Sequence, residues 1–421
     1  MTPSSLPPPS SVTQLKADFL DDYYQPSEEI INKYADVLIN FALNSGEGVK
    51  PGEVVELVVP DIAKDMALVL QNTVLRAGAY PVMKFLPTGF EQDYYTLAND
   101  DQLTFFARNY WKARAKLLDH TVQIIADPYP DQLKDIKPHK IISARDAKKP
   151  YRDWLNAKEN QSKFTWTIGL WGVPAKAAAV NLSLEAYWQQ IIKACFLDLD
   201  DPIAEWREIY QLQEEIKQKL NALEIEEVLI EGDDAQLHLK IGSNRIWNGG
   251  GGRNIPSFEI FTSPDWRGSQ GWIHLNEPVY RYGNIIRDIR LELKDGLVVK
   301  AEAKAGNAFL QEMLKSKNAN KLGEFSLTDK RMSRITHPMA ETLFDENMGG
   351  PYGNTHIAIG MAYLDCYRGK VAEVTKKQWA AMGFNDAAEH TDLVSTTDRV
   401  VTATLLDGTK KVIYRDGQFV V

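Results

Sequence analysis

The chain changes its rhythm part way along, and this change limits what it can fold into more than any single motif does. Before about residue 200, short β-prone runs alternate with amphipathic helical stretches. Glu53–Val59 reads as a strand, Ala63–Ala77 as a helix closed by Gly78, and Pro81–Leu86 as a second strand. A strand–helix–strand unit of this kind calls for parallel pairing through a right-handed crossover. The rhythm continues with a helix over Leu103–Lys116, a strand over Thr121–Ala126 ending at Asp127-Pro128, a helix or loop over Ile136–Lys148, a strand over Phe164–Gly169 and a helix over Leu184–Phe196. Two helices precede it, Leu15–Tyr24 and Ser27–Asn44. The second has Ile30, Ile31, Tyr34, Val37, Leu38 and Phe41 at helical spacing behind a Ser27 start. This half predicts a doubly wound α/β domain.

A charged periodic helix, Ile203–Leu223, joins the halves, and closely spaced strands follow it. These are Glu227–Ile230, Ala235–Ile241, Glu259–Thr262, Ile285–Leu293 and Leu297–Lys304, the last two joined by a hairpin turn at Asp295-Gly296. Helices are expected over Phe309–Leu322, Ile357–Tyr367 and Gln378–Met382, and a hairpin of Val400–Leu405 and Lys410–Tyr414 ends the chain. The expectation is an α/β domain over residues 1–222, with 1–11 a disordered Pro- and Ser-rich tail, and an α+β domain over 223–421 dominated by antiparallel sheet. A length of 421 residues suits two such cores.

Charge and composition narrow the function. A net charge of −9 argues against a general nucleic-acid binder and suits cationic ligands such as metal ions or a free amino terminus. No apolar run reaches membrane-spanning length, and the first residues lack the apolar segment of a secretory signal. Cys195 and Cys366 sit in apolar company and read as free buried thiols in a reducing, cytoplasmic compartment. Gly52, Gly169 and Gly172 form no dinucleotide fingerprint, so no nicotinamide or flavin cofactor is expected.

Residues able to carry chemistry gather in the second half. His390 and Asp392, two apart on a strand, point the same way, and both side-chain types bind Zn²⁺ or Co²⁺; they also fit an ordinary loop. On the expected helix, His356 and Tyr363 stand two turns apart on one face, although taken alone the pair is better explained as a helix-end histidine and a core tyrosine. Glu259 and Glu324 interrupt apolar surroundings, where a carboxylate is costly unless paired, protonated or on a metal. Glu346, in Asp345-Glu346-Asn347, also reads as a polar turn. Gly249–Gly252 lacks the Lys-Ser/Thr of a phosphate loop and reads as a tight bend before Glu259. His274 and His337 are near these segments without a spacing that puts them on a metal. There is neither a serine-hydrolase elbow nor a His-Glu-x-x-His helix.

Taken in order, these segments carry a resemblance. Asn254-Ile255-Pro256 with Glu259 and Phe261-Thr262-Ser263-Pro264 is followed by Asp288-Ile289-Arg290-Leu291, Lys294-Asp295-Gly296 and Gly323-Glu324. Leu343–Asn347, His356–Gly360 with Tyr363, and His390-Thr391-Asp392 complete the set. The series resembles the thermophilic-type metallo-aminopeptidases, the family of aminopeptidase T, aminopeptidase S and PepS. The resemblance implies that Glu259, Glu324, His356, His390 and Asp392 hold two divalent ions (Zn, Co, Mn or Mg), bridged by Glu324. It places Glu346 at the metals as a further carboxylate and makes Tyr363 catalytic. It also implies a dimeric cytoplasmic exopeptidase that removes N-terminal residues from peptides and has neither nucleic-acid nor membrane partners. Two departures stand out: Met348–Thr355 is an apparent insertion after the Asp-Glu-Asn turn, and Ser257-Phe258 precedes Glu259 where relatives carry Asp-Gly. Either Glu324 or Glu346 would move the proton. A two-metal amidohydrolase of non-peptide amides and a catalytically inactive metal- or peptide-binding relative are the competing readings.

Overall fold

The computed structural model describes residues 24–421. The expected tail, and all but the last residue of the expected Leu15–Tyr24 helix, lie outside the described residues. Four parallel strands, β1 (Val54–Pro60), β2 (Tyr80–Leu86), β3 (His120–Ile125) and β4 (Thr165–Leu170), form a sheet in the order β2-β1-β3-β4. β1 is almost wholly buried because it is central and covered on both faces, as its run of valines anticipates. The Ser27 start is as expected: its hydroxyl accepts from the Ile30 amide.

The second half holds β5 (Ile225–Gly232), β6 (Ala235–Lys240), β7 (Asn248–Gly249), β8 (Glu259–Thr262), β9 (Gln270–Leu275), β10 (Val279–Arg281) and β11 (Asn284–Lys294). It continues with β12 (Leu297–Ala305), β13 (Leu322–Thr328), β14 (Asn354–Gly360), β15 (His390–Ser395), β16 (Val400–Leu405), β17 (Lys410–Arg415) and β18 (Gln418–Phe419). These build two antiparallel sheets. One runs β10-β11-β9-β6-β5-β16-β17-β18 with β12 against β11, the other β15-β14-β13-β8-β7. Asp295 and Gly296 both have positive φ, 51° and 80°, the backbone that a two-residue hairpin turn needs. The architecture is therefore the expected α/β half followed by a largely antiparallel α+β half.

Three expected helices are corrected. Ile357–Tyr367 is not an α-helix: its first residues belong to β14, and only Leu364–Cys366 make a single 3-10 turn. A short apolar run buried on both faces has no periodicity that separates strand from helix, and here the alternation His356, Ala358, Gly360 against Ile357, Ile359 wins. The helix expected over Phe309–Leu322 covers only Asn307–Met313, and the chain re-enters the sheet at Leu322. Leu103–Lys116 is broken at Phe105–Ala107 into Asp100–Thr104 and Arg108–Leu117. A helix that the periodicity did not reveal, Lys149–Glu159, carries Glu159 toward the second half.

One apolar core runs through both halves. Trp206, on the long helix Pro202–Ala222, stacks on Phe258 at 5.4 Å and 16°, and meets Phe196 edge-on at 5.0 Å. The helix is thus more than a connection: Gln213, fully buried on it, donates to the Glu259 carbonyl at 3.1 Å. A backbone seam completes the join. The Ile168 amide donates to Arg253 O and the Ile255 amide to Ile168 O, both at 2.9 Å, so residues 253–255 extend the edge at β4. The glycine bend feeds this seam: Gly252 has φ +72°, and a Cβ there would lie 2.0 Å from Ala42 O.

Candidate metal centre

Strand register explains why acids separated widely in sequence share one place. On the second antiparallel sheet Glu259 opposes Thr328, Ser326 opposes both Phe261 and His356, and Ala358 lies between Glu324 and Asp392. His390 opposes Gly360, two residues on. Opposed residues and residues two apart share a face, so Glu259, Glu324, His356, His390 and Asp392 all project from one side. Ile260, Phe325, Ile357 and Leu393 fill the other, in the core.

Glu259, Glu324 and His356 form one cluster, and Glu324, His390 and Asp392 a second; within each, one donor atom per residue lies within 4.8 Å of the others. Glu324 belongs to both. Its Oε1 is 3.1 Å from His356 Nε2 and its Oε2 is 3.6 Å from His390 Nε2. Glu259 Oε2 is 3.6 Å from His356 Nε2, and Asp392 Oδ1 is 3.1 Å from His390 Nε2. The His390 Nδ1 proton goes to Met361 O at 2.7 Å, which turns Nε2 toward Asp392 and Glu324, where a cation could take the place of its proton.

Crowding shows in the proton affinities. Burial pushes Glu259 up to about 7; His356 opposes this, while Glu324 and Asp392 add to it. Burial also drives Glu346 well above the usual carboxylate range, with Glu259 and Asp392 as further causes. Although burial opposes it, Asp392 lifts His390 to about 9, and His390 in turn holds Asp392 near 2 against its own burial. Ionising the four carboxylates leaves the pocket negative even with both imidazoles protonated. The Ser326 hydroxyl on the same face has no partner among the described residues. Hard oxygen and imidazole donors with excess negative charge in a cavity of about 80 Å³ fit divalent cations.

The remaining expected residues border the cavity. Glu346 caps the short helix Thr342–Asp345 and accepts from Asn254 Nδ2 at 3.2 Å; it is in neither cluster. Tyr363 reaches the cavity from the loop after β14 rather than from a helix face, with its ring 4.8 Å from that of His390. His274 and His337 do not line the cavity: His274 lies between Asp234 and Asp288, and His337 Nε2 is 3.0 Å from Val180 O. Arg253, behind the glycine bend, is held by Glu159 and Asp365 at 2.8 and 2.6 Å, and its charge is thereby spent.

Asn347 and Trp166 were not expected. Asn347 donates to Glu259 Oε1 at 3.2 Å and accepts from the Phe258 amide at 2.6 Å, which fixes both the carboxylate and its strand. Its one visible sign is a polar residue directly after Glu346. Trp166 comes from β4 in the other half, and nothing local in its sequence marks it.

A parallel-sheet half placed over a polar, acid-rich face of an antiparallel sheet, with two triads sharing a carboxylate, defines a protein built to handle cations, of the kind seen in metallohydrolases. The chain belongs to the thermophilic metalloprotease (M29) family, whose model matches residues 27–419. It is 26% identical to Aminopeptidase 2 of Geobacillus stearothermophilus over 93% of this chain and 98% of that one. It is 24% identical to Aminopeptidase PepS of Streptococcus thermophilus over 94% and 98% of the two chains. It is 28% identical to Aminopeptidase T of Thermus thermophilus over 69% and 74%. The solved structure of wild-type AmpT from Thermus thermophilus superposes with a TM-score of 0.79 at 23% identity, covering 94% of this chain and all of that one, which shows a shared fold.

Proposed function

We propose that the protein is a metal-dependent aminopeptidase that releases N-terminal residues from peptides at a dinuclear centre. The observation that carries this reading is Glu324, whose two oxygens face two different imidazoles in two overlapping donor sets. In this reading Glu259, Glu324 and His356 hold one divalent ion and Glu324, His390 and Asp392 the other. Zn, Co, Mn and Mg all suit these donors. Bound ions would supply an acidified water and a polarised carbonyl.

The chain's own residues do the rest. The Tyr363 phenol, whose own proton burial holds on the oxygen well past its ordinary range, donates a hydrogen bond to the carbonyl oxygen as negative charge builds there. Glu346, held by the Asn254 amide and ionised once bound cations would offset the neighbouring carboxylates, takes the proton from the attacking water and returns it to the leaving amine. The surrounding carboxylates attract the free α-ammonium of the substrate. The similarity to aminopeptidases reported above supports the exopeptidase assignment. Among the described residues no helix is long and apolar enough to cross a membrane. Two free, buried thiols support a reducing cytoplasmic setting. We take the molecule as a homodimer whose two domains divide between Ala222 and Leu223; sedimentation and limited proteolysis test these points.

The central test joins metal analysis to a substrate pair. Two divalent ions per chain, with cleavage of a free-amine aminoacyl amide and none of its N-acetylated form, is the expected result. Equal cleavage of both forms, or no more than one ion per chain, would overturn it.

A further inference from the structure

A second, larger cleft lies away from the acidic face. It has a volume of about 730 Å³ and sits at the carboxyl-terminal ends of β2, β3 and β4, where the loops after those strands face the second half. Open parallel sheets collect their ligands at this edge, and the volume lies within the range of small-molecule sites. None of its lining residues belongs to the two cation-binding triads.

The lining names the ligand chemistry. Pro128, Pro130, Ile285 and the ring of Tyr280 give apolar walls. Two charged groups of opposite sign, Arg287 and Asp131, also line the cleft. They do not pair with each other, and among the described residues Arg287 has no carboxylate and Asp131 no cation at ion-pair distance. Arg287 is partnered by the Tyr280 phenol. The other cation, Lys176, is neutralised by Glu341 at 3.1 Å and donates to Ala340 O at 2.6 Å, so it closes the inner wall and offers nothing to a ligand. What remains is one positive group held only by a neutral phenol and one negative group without an ion-pair partner, beside apolar surface.

We propose that this cleft binds a zwitterion with an apolar side chain, a free α-amino acid or a short peptide, with its carboxylate on Arg287 and its ammonium on Asp131. The site is separate from the acidic centre and does not depend on the reaction assigned there. Ala340 and Glu341, at the inner wall, belong to the segment that ends in Glu346: the Asp345 carboxylate accepts from the Met339 and Glu341 amides at 2.6 and 3.1 Å. A ligand in the cleft therefore lies against Ala340, just before the turn that presents Glu346.

Calorimetric titration of the full-length, metal-loaded protein with L-phenylalanine tests the proposal. Saturable binding is expected, weakened about tenfold or more by Arg287→Ala and by Asp131→Asn, the factor for one lost charge-assisted contact. 2-Phenylethylamine, which lacks the carboxylate, and 3-phenylpropionate, which lacks the ammonium, should each bind more weakly than L-phenylalanine to the unaltered protein. Both substituted residues are exposed, and the near-isosteric Asp131→Asn serves if Arg287→Ala misfolds. Binding of equal strength in both variants, equal binding of all three compounds, or no saturation by about 10 mM, weaker than the millimolar class, would overturn it.

Discussion

At the scale of single residues, the site separates groups that would hold cations from groups that would move charge. Tyr363 borders the cavity but belongs to neither donor cluster. Tyr363→Phe should lower kcat by about 10²–10³, the loss of one oxyanion donor, and leave metal content unchanged. Full turnover in that variant would remove the phenol from the mechanism. Asn347 supports Glu259 from outside the cluster, and Asn347→Leu strands a buried carboxylate oxygen and the Phe258 amide. Thermal denaturation should show a loss of about 1–3 kcal/mol, and dialysis a faster loss of bound metal. The residue-scale reading of the sequence was uneven for physical reasons. His390 and Asp392 were legible because period-two spacing on a strand fixes their direction. The sequence puts His356 and Tyr363 on one helix face; His356 instead lies on β14, and Tyr363 reaches the cavity from the loop that begins where the chain leaves β14 at Gly360, whose φ is +104°. Asn347 lies 88 residues from its partner Glu259, and no local pattern encodes such a pairing.

At the scale of elements, the four strands β8, β13, β14 and β15 bring the site together, and Ala358 shows how. It is fully buried on the acidic face, opposite both Glu324 and Asp392, where cross-strand neighbours stand about 5 Å apart. Ala358→Leu should preserve the sheet at a cost of about 1–3 kcal/mol and abolish metal uptake. An unchanged ion count would show that the space is not where the cations sit. The start of β15 is clamped by Glu389, which accepts from Arg281 at 2.5 Å, from Tyr282 at 2.6 Å and from Arg145 at 3.1 Å. Arg145 comes from the first half, on the helix Pro138–Asp146. Burial pushes the Glu389 carboxyl up, but Arg145 and Arg281 outweigh it and hold it near 2. A folded-state value below the unfolded one stabilises above the ordinary carboxylate range, and this contribution is lost as pH falls toward 2. Glu389→Gln should lower the melting temperature at neutral pH and flatten this acid limb. The sequence marked the strands of the α/β half well because each is an apolar run set between helices. It marked β13 and β14 poorly because both are buried on both faces.

At the scale of the whole molecule, the acidic face ties stability to its cations. In metal-stripped protein Glu259 rises from 4.5 to about 7 and His390 from 6.5 to about 9. Raised folded-state values contribute stability at low pH that is lost as pH climbs through them. Asp392, held near 2, contributes above its ordinary value of 3.8 and is constant over this range. Chelator-treated protein should therefore melt at a higher temperature at pH 5.5 than at pH 9, and adding back divalent cation should raise the pH 9 value more. A stripped protein equally stable at both pH values would contradict the crowding of these groups.

The division into an α/β half and an antiparallel half was visible in the change of rhythm, but the seam between them was not. Backbone pairing of residues 253–255 with Ile168 is long-range and carries no residue signature. That seam has an evolutionary and practical consequence. Asn254, which steadies Glu346, takes its position from a strand edge contributed by the other half, so the acidic cluster and its supports cannot travel alone into a new gene. Fusion or truncation of the back half would have to bring its neighbour along, and shuffling would exchange the pair as one inheritance.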